Sequence, residues 1–148
     1  MRNLTLIAYF LLLFIPHNMI NSAMSEERIV DEMIKKKKLP YDLVTVTTYT
    51  ISEEQTDSTP LITASGYKLD SINPRKQKVI AISRDLKRKY KFGQKVRVKG
   101  AGNLDGVYTI RDLMASRWRK KIDILINPED NGNKIRNVKL YNITNIGK

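Results

Sequence analysis

Residues 43–51 read LVTVTTYTI, and this stretch decides the fold class. β-Branched residues dominate it, and its pattern has a period of two, which is typical of a strand with one buried face. Polar residues 53–60 follow and are expected to form a loop. Five further short stretches are strand candidates, at residues 79–83, 95–98, 107–111, 122–126 and 138–144. Six short strands predict an all-β domain over residues 43–148, a small barrel or sandwich, and closure would hide the strand edges.

Helical spacing of apolar residues appears before the first strand. Residues 25–38 read SEERIVDEMIKKKK, with Ser25 as the expected N-cap, two glutamates in the first turn and four lysines at the end. We expect residues 24–42 to form a helix and linker, either a spacer or an outlying helix that leads into the domain. Two brief helical insertions are expected within the domain, near residues 84–90 and 113–120.

The N-terminal segment has the order of a secretory signal peptide. An apolar run at residues 4–15 follows a weakly positive start, Pro16 ends the run, and small residues follow. We expect residues 1–23 to be the signal peptide, with cleavage after Ala23, and the protein to be exported to the periplasm or cell envelope, or secreted. The run is shorter than the roughly 20 residues that span a bilayer. Counting on through Ile20 leaves an uncleaved membrane anchor as the alternative.

The composition excludes several kinds of chemistry. The chain has 27 Lys and Arg against 15 Asp and Glu, a net charge of +12, no Cys, and one histidine, His17, in the N-terminal segment. Without the leader, zinc sites of Cys and His, Cys or His nucleophile systems and disulfides are all excluded. Any catalysis must rest on carboxylates, Lys, Tyr, Ser or Thr, and we expect no metal or other cofactor.

The positive charge favours a polyanionic partner. Because the chain is expected to be exported, we expect that partner to be a wall polymer, an anionic lipid or an extracellular polysaccharide, and not nucleic acid. A well-solvated basic surface without a partner is the alternative interpretation of the same charge.

Three aspartates occur where a carboxylate would lie against strands. Asp85 ends VIAISRD, Asp112 ends GVYTIRD, and Asp123 interrupts KIDILI. A carboxylate on a half-buried face loses hydration and its pKa rises, as a general acid near neutral pH requires. Asp85 and Asp112 could instead cap short helices. Asp123 could instead face water on an edge strand or pair with Arg119 or Lys120. The residues alone leave these alternatives open.

Six segments together resemble the three-aspartate (3D) domain of bacterial wall proteins. The order of these segments and the eleven-residue step from Asp112 to Asp123 carry the resemblance, which covers about residues 44–127. The family includes the stationary-phase muralytic factors of spore-forming bacteria. The sequence also resembles, more remotely, the catalytic core of membrane-bound lytic transglycosylase A. The segments are TVTTYT at 45–50, TDSTPLITASG at 56–66, VIAISRDL at 79–86, FGQKVRVKGAG at 92–102, GVYTIRDLMASRW at 106–118 and KIDILI at 121–126.

The resemblance implies a fold, an activity and a site. The fold is a six-stranded double-psi β-barrel, and the activity is that of a lytic transglycosylase on peptidoglycan glycan strands. Asp123 would be the catalytic acid and base, and Asp112 and Asp85 would line the same pocket. The expected substrate-binding residues are Thr48, Tyr49, Thr63, Ser65, Gly66, Arg117 and Trp118, with the two aromatic side chains stacking on sugars or packing in the core.

Residues 113–118, LMASRW, depart from the pattern because many family members have a small Gly-rich stretch there, so the sugar cleft is expected to be narrower. Asp57 is a fourth acid close to the matched segments. The competing hypotheses are a non-catalytic module that binds wall glycan or a partner protein, and an exported nucleic-acid-binding protein.

Overall fold

A computed structural model describes residues 17–51 and 61–146, with only the backbone of residues 17–25. The apolar run of the expected signal peptide, the predicted loop at 53–60 and Asp57 lie outside the described residues. Within the described residues, no helix combines the length and the apolar character that crossing a bilayer would need.

All six predicted strands are present and close into a barrel. A 21-residue helix, α1 (His17–Lys37), precedes them. Short 3₁₀ helices occur at Pro74–Gln77, Arg84–Arg88 and Gly102–Leu104. The strands are β1 (Asp42–Tyr49), β2 (Val79–Ile82), β3 (Lys95–Lys99), β4 (Gly106–Leu113), β5 (Lys121–Leu125) and β6 (Lys134–Asn142).

The barrel is a mixed sheet in the order β1-β5-β2-β4-β3-β6, with β6 pairing back to β1. The β1–β5 and β2–β4 pairs are parallel, and the other four pairs are antiparallel. Each of these six strands therefore has a neighbour on both sides, so none of the six presents an open edge. The expectation of a small all-β barrel is confirmed, and the double-psi topology stays a prediction.

Every second side chain of the strands points into the barrel, and these side chains form its core. Ile122 and Ile124 of β5 and Ile80 and Ile82 of β2 point inward and are almost fully buried. Successive side chains of a strand point to opposite faces. Asp123, between the two isoleucines of β5, therefore lies on the outer face of the barrel.

Helix α1 packs on the barrel and is neither a spacer nor an outlying helix. Val30 and Ile34 form an apolar cluster with Tyr141 and Ile143 of the C-terminal segment. The helix also begins earlier than expected, so Ser25 lies in its interior and is not its N-cap. Residues 17–24 contain neither Pro nor Gly, so nothing in them stops the helix.

Of the two expected helical insertions, one forms and one does not. Residues Arg84–Arg88 form a 3₁₀ helix, whereas the helix expected at residues 113–120 is absent. The Met114 amide donates to the Ile82 carbonyl at 2.9 Å, which keeps the chain extended beside β2. Only one turn follows, where the Trp118 amide donates to the Ala115 carbonyl at 3.1 Å. Pairing with β2 therefore overrides the local helical pattern.

Candidate active site

Two of the three singled-out aspartates lie in one row across the outer face of the barrel. Ala81 of β2 is paired with Asp112 on one side and with Asp123 on the other, and Asp123 is paired with Thr47 of β1. Neighbouring strands lie about 4.8 Å apart, so the backbones of the two aspartates are separated by about 10 Å. Ala81, whose side chain is a single methyl group, lies between the two acidic positions in the register of the sheet. We call Asp112, Ala81, Asp123 and Thr47 the acid row.

A β-bulge turns Asp112 to the outer face. Ile80 pairs with Ile110, but the next residue, Ala81, pairs with Asp112, so Arg111 is an extra residue in β4. Ile110 points into the barrel, and a regular strand would point Asp112 the same way. The extra residue reverses this direction, as bulges beside functional sites commonly do.

Asp123 is held in a half-buried position with one oxygen bound. Its Oδ1 accepts a hydrogen bond of 2.8 Å from the Thr47 hydroxyl. Burial raises the pKa of Asp123, the Thr47 hydrogen bond and the Lys121 charge oppose the rise, and the Asp112 charge adds to it. None of the described residues makes a hydrogen bond to Oδ2. A carboxyl in this state can exist protonated nearer to neutral pH than an ordinary aspartate.

Tyr49 lies two residues further along β1 on the same face. Its hydroxyl is buried and makes no hydrogen bond to any described residue. Burial raises the pKa of Tyr49 strongly, and the charges of Asp112 and Asp123 raise it further, so the phenol is neutral and close to both acids. A buried donor without a partner is costly, and such groups in folded proteins call for an explanation.

Asp112 is bound to the backbone. Its Oδ1 accepts 2.8 Å hydrogen bonds from the amides of Ala64 and Leu113. Asp112 caps no helix, because it lies within β4 and no helix follows. Its carboxylate ties the segment around Ala64 to the outer face of the sheet.

The Ala64 segment is a tight turn built from three of the expected site residues. Thr63 Oγ1 lies 3.0 Å from Ser65 Oγ and accepts a 3.1 Å hydrogen bond from the Tyr67 amide. Gly66 has φ +77°, a left-handed conformation that glycine adopts without strain. The Ser65 amide donates to the Arg111 carbonyl at 3.1 Å. The turn therefore docks beside Asp112, and these residues build the wall of the site.

Asp85 is not part of the acid row and lies on the 3₁₀ helix after β2. Its Oδ2 accepts a 3.0 Å hydrogen bond from the Lys120 amide, just before β5 begins. Burial would raise the pKa of Asp85, but hydrogen bonds from Ser83, Lys120 and its own amide, together with the Arg119 charge, leave it lowered overall. Lys120 has φ +46°, so Asp85 holds a strained backbone position that starts β5.

Thr48 is not part of the acid row either. Its side chain alternates to the other face from Thr47, and its Oγ1 accepts a 3.0 Å hydrogen bond from the Asn133 amide. Thr47, which contacts Asp123, was not among the expected site residues, and neither was Ala81. The sequence does predict that Thr47 and Thr48 face opposite sides of the strand, because successive residues alternate. Only the pairing of β1 with β5 shows that Thr47 is the one on the side of the acids.

Trp118 and Arg117 lie on the turn before β5. The Lys121 ammonium is 3.6 Å from the centroid of the indole, and the Arg117 guanidinium carbon is 5.1 Å from it. Cations over an aromatic face are attracted by its quadrupole. The indole is partly exposed, and these contacts hold it beside the first residue of the strand that carries Asp123.

The described part of the chain contains no cluster of three or more His, Cys, Asp or Glu side chains able to hold a metal ion. No protein-family model matches the chain, and no curated protein sequence matches it.

Asp123→Asn should stabilise the fold at neutral pH. A folded-state pKa above the unfolded value means that the charged carboxylate costs stability at high pH and that the cost vanishes below about pH 4, where both states are protonated. We expect a higher melting temperature for Asp123→Asn at pH 7 and a difference that shrinks as the pH falls. Asp85→Asn is the matched control, because its lowered pKa predicts lower stability at pH 7. If both variants changed the melting temperature at pH 7 in the same direction, this assignment of the two pKa shifts would be contradicted.

Tyr49→Phe should leave the fold at least as stable as it is. The substitution removes a buried hydroxyl that has no described partner, and an unsatisfied buried donor costs about 1–3 kcal/mol. We expect the free energy of unfolding in urea to stay equal or to rise by about 1 kcal/mol. The control is Tyr90→Phe, which loses hydrogen bonds to Asp42 (2.8 Å) and to the Leu140 carbonyl (3.1 Å) and should destabilise the protein. A destabilised Tyr49→Phe would contradict the account of an unpartnered hydroxyl.

Proposed function

We propose that this chain is an exported lytic transglycosylase-like enzyme that cleaves the bond between N-acetylmuramic acid and N-acetylglucosamine in peptidoglycan. One observation carries the proposal: Asp123 is half-buried, its pKa is raised, and Asp112 lies two strands away on the same face. A carboxyl that holds a proton near neutral pH is what general acid catalysis needs. The likeness of the six segments to the 3D domain, with its double-psi barrel, supports the same function.

Asp123 would act first as acid and then as base. The protonated carboxyl donates to the glycosidic oxygen, the bond from that oxygen to C1 of the muramic acid breaks, and the N-acetylglucosamine side leaves as an alcohol. The Asp123 carboxylate then takes the proton of the muramic acid 6-hydroxyl, and O6 bonds to C1. The product is a 1,6-anhydro ring, no water is consumed, and Asp123 ends protonated as it began. Unlike the pair of carboxylates in ordinary glycosidases, one acid suffices.

The neighbours of Asp123 would set its protonation and position. The Thr47 hydroxyl fixes Oδ1, which leaves Oδ2 for the glycosidic oxygen. Asp112 raises the pKa of Asp123 and holds the turn at Ala64 that borders the site.

One observation favours a second candidate, a non-catalytic module that binds wall glycan. The two backbone hydrogen bonds to Asp112 give that carboxylate a structural role without chemistry. This candidate predicts that the protein sediments with purified sacculi but releases no soluble muropeptides.

The test is mass spectrometry of the soluble products from sacculi incubated with the full chain in water enriched in oxygen-18. The proposal predicts muropeptides with anhydro-muramic ends, lighter by one water than hydrolysis products and free of the heavy isotope. Reducing ends that carry oxygen-18 would show a hydrolase and contradict the proposal. Sedimentation without any soluble product would favour the second candidate.

A further inference from the structure

A cleft of arginines opens at the end of the β2–β5 pair. It has a volume of about 410 Å³ and is lined by Arg84, Asp85, Arg88, Ser116 and Arg119. The 3₁₀ helix after β2 supplies the first three residues, and the turn before β5 supplies the other two. We call it the arginine cleft.

Within the described residues, Asp85 neutralises the charge of the arginine cleft only in part. No acidic side chain of the described residues pairs with Arg84 or Arg88. The Asp85 carboxylate is occupied by the Lys120 amide. Three guanidinium groups around one engaged carboxylate leave an excess of positive charge in a concave surface, which attracts anions.

Hydrogen bonds within its own turn fix the orientation of the Arg119 guanidinium. Its Nη1 donates to the carbonyls of Ser116 and Trp118, the latter at 3.0 Å, which holds the guanidinium against its own turn. A guanidinium that is fixed before binding loses less conformational freedom when it receives a ligand. Fixed arginines favour planar anions, because the fork of N–H groups matches the two oxygens of a carboxylate.

The arginine cleft lies at the end of β2 and β5, the two middle strands of the acid row. The Ser83 amide donates to the Lys121 carbonyl at 2.9 Å, and the Lys121 amide donates to Ser83 Oγ at 3.0 Å. Ala81 and Asp123 each lie two residues further into the pair. With a rise of about 3.3 Å per residue, the end of the strand pair is about 7 Å from the acid row. One ligand could therefore occupy both places.

We propose that the arginine cleft binds a free carboxylate of the peptide that the muramic acid carries, while the acid row acts on the glycan. This inference rests on the proposed function. Arg84 and Arg88 would form ion pairs with the carboxylate, and Arg119 would donate a further hydrogen bond to it. The cleft makes the peptide part of substrate recognition, so glycan strands stripped of peptide would be poorer substrates.

The binding test uses a soluble muramoyl dipeptide with free carboxylates, titrated into the full chain and followed by NMR. We expect shifts at the amides of Arg84, Arg88 and Arg119, and about tenfold weaker binding of the same dipeptide with its carboxylates amidated. The double variant Arg84→Gln/Arg88→Gln should weaken binding of the free acid about tenfold while the unfolding transition is unchanged. Arg136→Gln, an exposed arginine of β6, is the matched control and should bind like the native chain.

Three outcomes would overturn the inference: equal binding of the acid and the amide, shifts that avoid the arginine cleft, or displacement of the dipeptide by equimolar inorganic phosphate, which would make the cleft a phosphate site. The binding readout needs no turnover, so it stands even if the transglycosylase proposal fails. With sacculi as substrate, we expect the double variant to raise KM about tenfold and to lower kcat by a much smaller factor. Loss of kcat alone would contradict a binding role.

Discussion

Asp123→Asn is expected to lower the release of anhydro-muropeptides from sacculi by about 10³-fold, because positioned acid–base groups contribute about 10²–10⁴ to such rates. Asparagine keeps the shape of the side chain and can still accept the hydrogen bond that Thr47 donates at 2.8 Å, but it can neither give nor take the proton of the reaction. The measurement is the initial rate of soluble product formation, followed by mass spectrometry.

The matched control is Asp70→Asn. Asp70 is exposed, and its Oδ1 accepts a hydrogen bond from the Ile72 amide, so it is an aspartate with a local backbone role that is not part of the acid row. We expect its rate to equal that of the native chain. An Asp123→Asn variant that is folded and retains more than about a tenth of the native rate would remove Asp123 from the role of acid, because that loss is smaller than positioned acid–base groups supply.

Asp31→Ala is expected to destabilise the protein by about 3 kcal/mol, the lower end for breaking a buried ion pair, because the buried Arg97 loses both of its carboxylate hydrogen bonds and keeps only the longer contact with Glu27 at 3.7 Å. Arg97 of β3 is only 5% exposed, and its Nε and Nη2 lie 2.9 and 3.2 Å from the two carboxylate oxygens of Asp31. The Arg97 hydrogen bond is the main cause of the lowered pKa of Asp31, although burial opposes it. The stabilisation is therefore present above about pH 4 and is lost as the pH falls.

Glu26→Ala is the matched control, on the same helix. Glu26 pairs with Lys95 at 3.0 Å, but both side chains are more than half exposed, at 52% and 57%. Exposed pairs contribute about 0–1 kcal/mol. In urea unfolding, Asp31→Ala should therefore lose clearly more free energy of unfolding than Glu26→Ala. Similar losses, or no loss in either, would mean that α1 does not depend on Arg97 for its place on the barrel.

The fold class follows from the sequence because strand periodicity is a local property. The alternation in β1 and the isoleucines on both sides of Asp123 predict which residues fill the barrel, and the structure agrees. The Arg84–Arg88 3₁₀ helix was predicted as a short helical piece for the same reason. The absent helix at residues 113–120 shows the limit, because pairing of Met114 with Ile82 is a contact between distant segments.

The site could be predicted only in part, because its geometry depends on strand register. Asp112 reaches the outer face through the extra residue Arg111, and nothing local in the sequence marks that bulge. Thr48 was expected at the site in place of Thr47 for the same reason: the resemblance matches a segment, whereas the pairing with β5 selects one threonine of it. The small residue between the two acids, Ala81, has no distinctive sequence pattern.

The place of α1 was not predictable from its own pattern. Arg97 alternates with buried valines in β3 and would be expected to face water. It is buried because the helix covers it and supplies Asp31 as its partner. Such a contact joins residues 66 positions apart, which local periodicity does not encode.

The most direct measurement is an NMR pH titration of the side-chain carboxyl carbon of Asp123 in the full chain. Its midpoint should lie clearly above the ordinary aspartate value, about 3.9, and should fall in the Asp112→Asn variant, because burial and the Asp112 charge both favour the protonated form. A midpoint at or below the ordinary value, unmoved by Asp112→Asn, would leave the barrel without a proton donor and would contradict the account.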